Sequence, residues 1–357
     1  MTRTVPQAVV ALVVAVLMAA SALVHGQSPT RANAFRATAA FRTVDGQPDL
    51  QGFWTNDTVT PLERPAEFGD KEILTPDEAA AYAKKRLDQF LAQPRDAIHY
   101  DDAIWQAESY SKESNRRTSL VTEPRNGKLP PLTAVAQKRE AAKAAARKGV
   151  DPSDSAQTRS LAERCIAWGN VGPPMVPPTY NANLQIMQTR DAVVILHEMM
   201  HDARIIPLDP STSSGSPRAG SRGDGSAHPP AKIQYLAGDS RGRWDGDTLV
   251  VDTTNFTDKT NFRGPPLTTR QDIAATEALH VVERFTRVDA NTIRYQFTVE
   301  DPNTWTAPWS GEIAIRKWGG PIYEYACHEG NYGLANILRA ARVEDAKKAQ
   351  PARPSSN

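Results

Sequence analysis

The sequence predicts a mainly β protein: an antiparallel, eight-stranded, lipocalin-like barrel with an irregular N-terminal arm containing two helices, and a C-terminal helix. Three observations lead there. From Leu184 onward the hydropathy alternates mostly with a period of two, which sends successive side chains to opposite faces of a strand. The alternating runs are separated by turn chemistry at Arg190-Asp191, Asp245-Gly246-Asp247, Asp289-Ala290-Asn291 and Gly319-Gly320. The 27 prolines favour extended, loop-rich structure over a helical bundle. Eight short strands joined by hairpin-like turns close into a barrel or a tight sandwich, and an eight-stranded barrel has room for one small ligand.

In chain order, the first element is a secretory signal peptide, residues 1–26. Arg3 is its basic region, Ala8 to Ala20 its apolar run, and cleavage is expected after Gly26 or Ala22. The run is shorter than the ~20 residues a membrane span prefers, so a periplasmic or secreted protein without stable membrane insertion is expected. Residues 27–160 form the arm. Thr75-Pro76-Asp77-Glu78 supplies an N-cap, a first-turn proline and a capping-box glutamate for a helix to about Leu91. Its apolar face includes Ala79, Tyr82, Leu87 and Leu91. "RRTSLVTEPRNGKLPPLT" reads as a short strand and an Asn126-Gly127 turn, and Thr133 caps an alanine-rich helix ending at Gly149.

The barrel is expected over 161–342. Its strands are "LQIMQ", "AVVILHEMMHDARII", "KIQYLA", "DTLVVDTT", "ALHVVERFTRV", "TIRYQFTVED", "GEIAIRKW" and "PIYEYAC". Ser211 to Pro230 interrupts them as a low-complexity loop. "NYGLANILRAARVEDAKKAQ" reads as a C-terminal helix, with 343–357 as a disordered tail.

Net charge is +1, from 42 basic and 41 acidic residues, and no basic block stands out. Nucleic acid and anionic membrane are therefore poor partners, and a small-molecule ligand or substrate is the expected one. No cofactor is expected. Cys165 and Cys327 are the two cysteines, and in an oxidising compartment an even pair reads first as a disulfide. Two separate buried thiols are the alternative, and a catalytic cysteine beside His328 would have to stay reduced outside the cytosol.

Two motifs invite sharper readings. His197-Glu198-Met199-Met200-His201 fits H-E-x-x-H, whose zinc chemistry needs both histidines on one helix face with the glutamate as general base. As a strand, the same stretch would place His197 and His201 about 13 Å apart, too far to share a metal. Its β-branched residues favour the strand, and no third ligand is evident; His197 and His201 remain the alternative metal pair. Gly238-Asp239-Ser240-Arg241-Gly242 fits G-x-S-x-G, but a strand rather than a helix follows it. It is read as a tight turn between strands.

Charged residues inside apolar strands are the better candidates. Glu198, Asp202 and Arg204 share one predicted face, and Glu283 stands between Val281 and Phe285. Such groups in a barrel interior are either buried ion pairs or a polar pocket. On the pocket reading, Glu198, Glu283 and His328 are the candidate acid–base residues, and Arg204 holds an anion or oxyanion. Arg284, Trp244, Tyr323 and Glu329 are the further candidate ligand contacts. Trp305, Trp309 and Trp318 read as packing plugs before they read as a stacking surface. The open alternatives are a metal-independent acid–base enzyme, a non-catalytic small-ligand binder, and a zinc peptidase.

"GDSRGRWDGDTLVVDTTNF", "LHVVERFTRVDANTIRYQFTVEDPNTWTAPW" and "PIYEYACHEGNYGLANIL", with "PDLQGFWTN", "RTSLVTEP" and "ERCI" nearer the N-terminus, together resemble a family of uncharacterised secreted bacterial proteins. The resemblance covers nearly the whole expected mature chain. It implies secretion and carries no established activity.

Overall fold

The structure is a computed structural model, and it describes residues 41–91, 116–168, 172–177, 181–209, 227–259, 261–262 and 273–349. The predicted signal peptide, most of the Ser211–Pro230 loop and the end of the predicted tail lie outside these residues. Twelve strands are described: β1 Gly52–Thr55, β2 Val121–Glu123, β3 Asn183–Gln188, β4 Ala192–His197, β5 Ala203–Pro207, β6 Asp239–Asp245, β7 Thr248–Thr254, β8 Asn261–Phe262, β9 Ile273–Ala274, β10 His280–Arg287, β11 Thr292–Glu300 and β12 Trp309–Lys317. Three α-helices accompany them: α1 Pro76–Leu91, α2 Ala134–Arg147 and α3 Tyr332–Ala349.

Nine strands run in the order β5-β4-β3-β1-β12-β11-β10-β7-β6, every neighbouring pair antiparallel, and β2 adds to β12. The two ends of that order meet at a parallel bridge, Leu208 to Gly242, where Asp209 N donates to Gly242 O at 2.8 Å. The sheet is thus a nearly closed antiparallel barrel. Gly242 permits the closure: a Cβ there would lie 2.8 Å from the Leu208 side chain and 2.9 Å from that of Ile206.

The predicted class therefore holds, while the strand count of eight does not. "AVVILHEMMHDARII" is two strands, because Met199–His201 form a 3-10 turn that reverses the chain into a β4–β5 hairpin. Met200 and His201 take positive φ values of 63° and 51°, a reversal the apolar periodicity does not encode. "KIQYLA" makes one bridge, Tyr235 to Phe256, and "PIYEYAC" is a loop with an exposed Tyr323. "GFWT" is a barrel strand between β3 and β12, too short at four residues for its alternation to register. Gly238-to-Gly242 is not a tight turn but mostly β6, with Gly238 alone at positive φ. Helix α3 continues past residue 343 to Ala349.

The inward residues form one apolar core. Phe285, Tyr295, Phe297 and Trp309 stack in a chain with successive ring centroids 4.9, 5.4 and 5.7 Å apart, and Trp54 is fully buried beside them in the same core. These rings fill the lumen, so the packing reading of Trp305 and Trp309 is the one the fold adopts. The helices lie outside. In α1, Thr75 Oγ1 accepts from Glu78 N at 3.3 Å and Glu78 Oε2 accepts from Thr75 N at 2.8 Å, the predicted capping box. Tyr82 is buried on its packed face, edge-on to Phe68 at 5.0 Å. Thr133 caps α2 by accepting from Ala136 N at 3.1 Å. No described helix is long and apolar enough to cross a membrane.

Cys165 and Cys327 are joined across 162 residues of sequence. Closing a loop of that length restricts the unfolded chain by about 5 kcal/mol in the chain-entropy model. No described residue after Ile315 belongs to the apolar core, so the bond ties a peripheral layer to the 161–166 segment. The double variant Cys165→Ser/Cys327→Ser is expected to melt at lower temperature, with protease cutting residues 319–349 before the sheet opens. Thermal unfolding with timed proteolysis checks this; first cuts inside the barrel strands would contradict it.

Candidate functional site

The strand register brings Arg204 and Glu283 together across the lumen. Arg204 of β5 points inward beside the seam, and Glu283 of β10 points inward from the opposite side of β6–β7. Arg204 Nη1 donates to Glu283 Oε1 at 3.0 Å and Nη2 to Oε2, a bidentate pair; the Glu283 side chain is 0% exposed. The guanidinium also donates from Nε to Ser240 Oγ at 2.9 Å and from Nη2 to Thr253 Oγ1 at 3.1 Å. Tyr295 OH donates to Glu283 Oε1 at 2.8 Å and accepts from Met175 N at 2.8 Å. Burial, then the Glu283 charge, pushes the Tyr295 phenol well above its usual value, so it stays a donor. This layer joins β5, β6, β7, β10 and β11 and fastens the Met175 segment, whose carbonyl accepts from Asn56 Nδ2 at 3.0 Å.

His197 ends β4 and also faces the core. Its Nε2 is buried and has no partner among the described residues. Burial, reinforced by the Arg204 charge, pushes the imidazole down to about 3, so it is neutral and a weak base at ordinary pH. Glu198 turns away from this layer. Its carboxylate is buried and accepts from Asn181 Nδ2 at 2.7 Å, Asn183 Nδ2 at 3.2 Å and the backbone N of Tyr323 at 3.2 Å. It therefore anchors the disulfide-bearing C-terminal segment to the end of β4. H-E-x-x-H lies on no α-helix: His197 is buried in the core and His201 is exposed beyond the turn. The two rings share no face from which to hold one zinc ion. No group of three or more His, Cys, Asp or Glu suited to a metal occurs among the described residues.

On the outer side of the seam lies an open cleft of about 260 Å³. Arg204 and Ser240 line it from the barrel wall, Ile205 and Tyr235 give it apolar surface, and Asp202 and Asp239 give it carboxylates. Ile205 is 64% and Tyr235 46% exposed, and both line this one cleft. Tyr235 is held in place by its backbone N donating to Asn255 O at 2.9 Å and its carbonyl accepting from Thr257 N at 3.1 Å. Asp239 belongs to a ladder on the outer face of β6, β7 and β10. His228 Nδ1 lies 2.7 Å from Asp239 Oδ2 and Nε2 3.0 Å from Asp252 Oδ1; His280 Nε2 lies 2.9 Å from Asp252 Oδ2. Arg241 Nε donates to Asp239 Oδ2 at 2.7 Å. The hydrogen bond from His280 holds Asp252 below the usual carboxylate range, and the same bond raises His280 above the usual histidine range.

The residues singled out from sequence thus fall in five places. Arg204 and Glu283 meet in the lumen. Glu198 meets the amides of Asn181 and Asn183 and, of the other singled-out residues, the backbone of Tyr323, whose side chain is exposed. Trp244 is a core residue, and Arg284 faces outward to Asp245 at 3.0 Å. His328 and Glu329 are exposed beyond the barrel, so the three proposed acid–base residues form no common site. The cleft itself escaped sequence reading. By sequence Tyr235 reads as a strand residue and Asp239 as part of a turn, and nothing in their neighbours shows that they line one cleft.

The fold and this geometry define a class: a nearly closed antiparallel β-barrel with a buried charged layer beside an open cleft at its seam. No family model, no curated protein and no solved structure matches the chain.

Proposed function

We propose that this is a periplasmic or secreted protein that binds one small molecule in the β5–β6 seam cleft without transforming it. The carrying observation is the cleft, where exposed Ile205 and Tyr235 stand beside polar groups on a rigid wall. Export is supported by the predicted signal peptide and by a disulfide, which persists in oxidising compartments. Acid–base catalysis is the weaker reading. Both oxygens of Glu283 are engaged by Arg204, His197 is too weak a base near neutral pH, and His328 stands elsewhere.

A fragment library screened by NMR against the oxidised mature chain tests this. Hits are expected to shift the Ala203, Tyr235 and Ala237 resonances. Tyr235→Ala is expected to weaken them roughly tenfold, the scale of a lost aromatic contact, with little change in melting temperature. Hits that map elsewhere, or that mass spectrometry finds chemically altered after incubation, would overturn the proposal.

A further inference from the structure

Accepting the seam cleft as a ligand site, the charges around it set the chemistry of what it takes. Arg204 would ordinarily mark an anion site. Here its charge is matched by Glu283 in a bidentate pair, and its Nε and Nη2 also serve Ser240 and Thr253. An incoming carboxylate or phosphate would find a guanidinium already neutralised and would have to compete with a fully buried partner. Asp239 is matched in turn by Arg241 and contacted by His228. Asp202 is different. It follows the Met199–His201 turn, lines the cleft and is exposed, and its carboxylate makes no hydrogen bond or ion pair among the described residues. With the two matched pairs cancelled, one negative charge remains among the described residues that line the cleft. Beside it stand the exposed ring of Tyr235, whose π-face attracts cations, and the exposed side chain of Ile205.

We infer that the cleft selects a small organic cation: an ammonium group carried on a compact apolar or aromatic body. The ammonium meets Asp202, and the body lies on Tyr235 and Ile205. An anion of the same shape meets an unmatched carboxylate and, among the described lining residues, no free cation. A neutral analogue keeps the apolar contacts and loses the charge-assisted ones.

Three probes of one shape test this on the full mature protein: benzylammonium, benzyl alcohol and benzoate, each titrated by NMR with the cleft amides as reporters. Benzylammonium is expected to bind roughly tenfold more tightly than benzyl alcohol, with benzoate weakest, the contrast falling as salt is raised. Asp202→Asn is expected to remove the preference for the cation while leaving the weak binding of the alcohol and the melting temperature unchanged. Equal binding of all three, a preference for benzoate, or a cation preference that survives Asp202→Asn would overturn the inference. If none of the three binds but library fragments do occupy the cleft, the cation class falls and the ligand site stands. If no fragment of any kind reaches the cleft, both fall together.

Discussion

Replacing Glu283 with leucine is expected to destabilise the protein by about 3–5 kcal/mol, because it strands the Arg204 guanidinium inside the barrel without its counter-charge. Arg204→Met is expected to cost a similar amount from the other side, leaving a carboxylate at 0% exposure with Tyr295 as its one partner among the described residues. The double replacement should recover most of the loss. A buried ion pair exchanged for well-packed apolar side chains is often neutral, since desolvating two charges offsets much of their attraction. Urea unfolding of the native protein, both single variants and the double variant gives the coupling energy directly. Single costs that simply add would mean that the two residues stabilise the barrel independently, against the geometry. Ser240 and Thr253 keep the 3.0 Å hydrogen bond between their own hydroxyls, whereas the buried Tyr295 hydroxyl loses its Glu283 acceptor, so a residual cost of about 1 kcal/mol in the double variant belongs largely to Tyr295.

The second large effect is a loss of stability on the acid side that belongs to His197. In the unfolded chain this imidazole takes a proton near its ordinary 6.5, whereas in the folded protein it resists protonation down to about 3. Between those values the unfolded state holds more protons, so stability falls as pH falls, with the loss starting near 6.5 and complete near 3. The slope is at most about 1.4 kcal/mol per pH unit, on the order of 5 kcal/mol across the window. His197→Leu is expected to remove that slope. Near neutral pH it should leave stability equal or slightly higher, because the Nε2 it deletes is buried without a partner among the described residues. Denaturant midpoints measured from pH 7 to pH 4 in both proteins provide the check. Parallel curves would assign the acid sensitivity to other groups.

These two residues show where sequence reading succeeds and where it stops. Glu283 was legible because strand alternation is strict in β10: Val281, Glu283 and Phe285 must face the same way, so a carboxylate between two apolar neighbours must be buried and partnered. Arg204 was legible as a charge on an apolar strand, and the pairing that satisfies both is the plainer of the two readings. Strict alternation puts His197 and Arg204 on opposite faces, yet both are buried. A period-two count runs unbroken through "HEMMHDAR", whereas Met200 and His201 turn the chain over, so that His197 and Arg204 both look inward. Two successive residues at positive φ with ordinary side chains leave no glycine to announce them. Helix starts, in contrast, were read to the residue, because Thr75-Pro76-Asp77-Glu78 and Thr133 act through hydrogen bonds within a single turn. The disulfide followed from cysteine number and expected compartment alone. The seam was out of reach, since it depends on which two of nine strands stand at the ends of the order, a property of the whole chain.

That seam also governs how the molecule behaves towards copies of itself. An open sheet carries two rows of backbone donors and acceptors that invite another chain to add on. Here the two outermost strands are turned towards each other and joined by the Leu208–Gly242 bridge at one level and by Arg204 with Ser240 at another, so each shields its opposite number. Colloidal solubility is thereby tied to curvature: any change that lets the sheet uncurl presents two templates for intermolecular pairing at once.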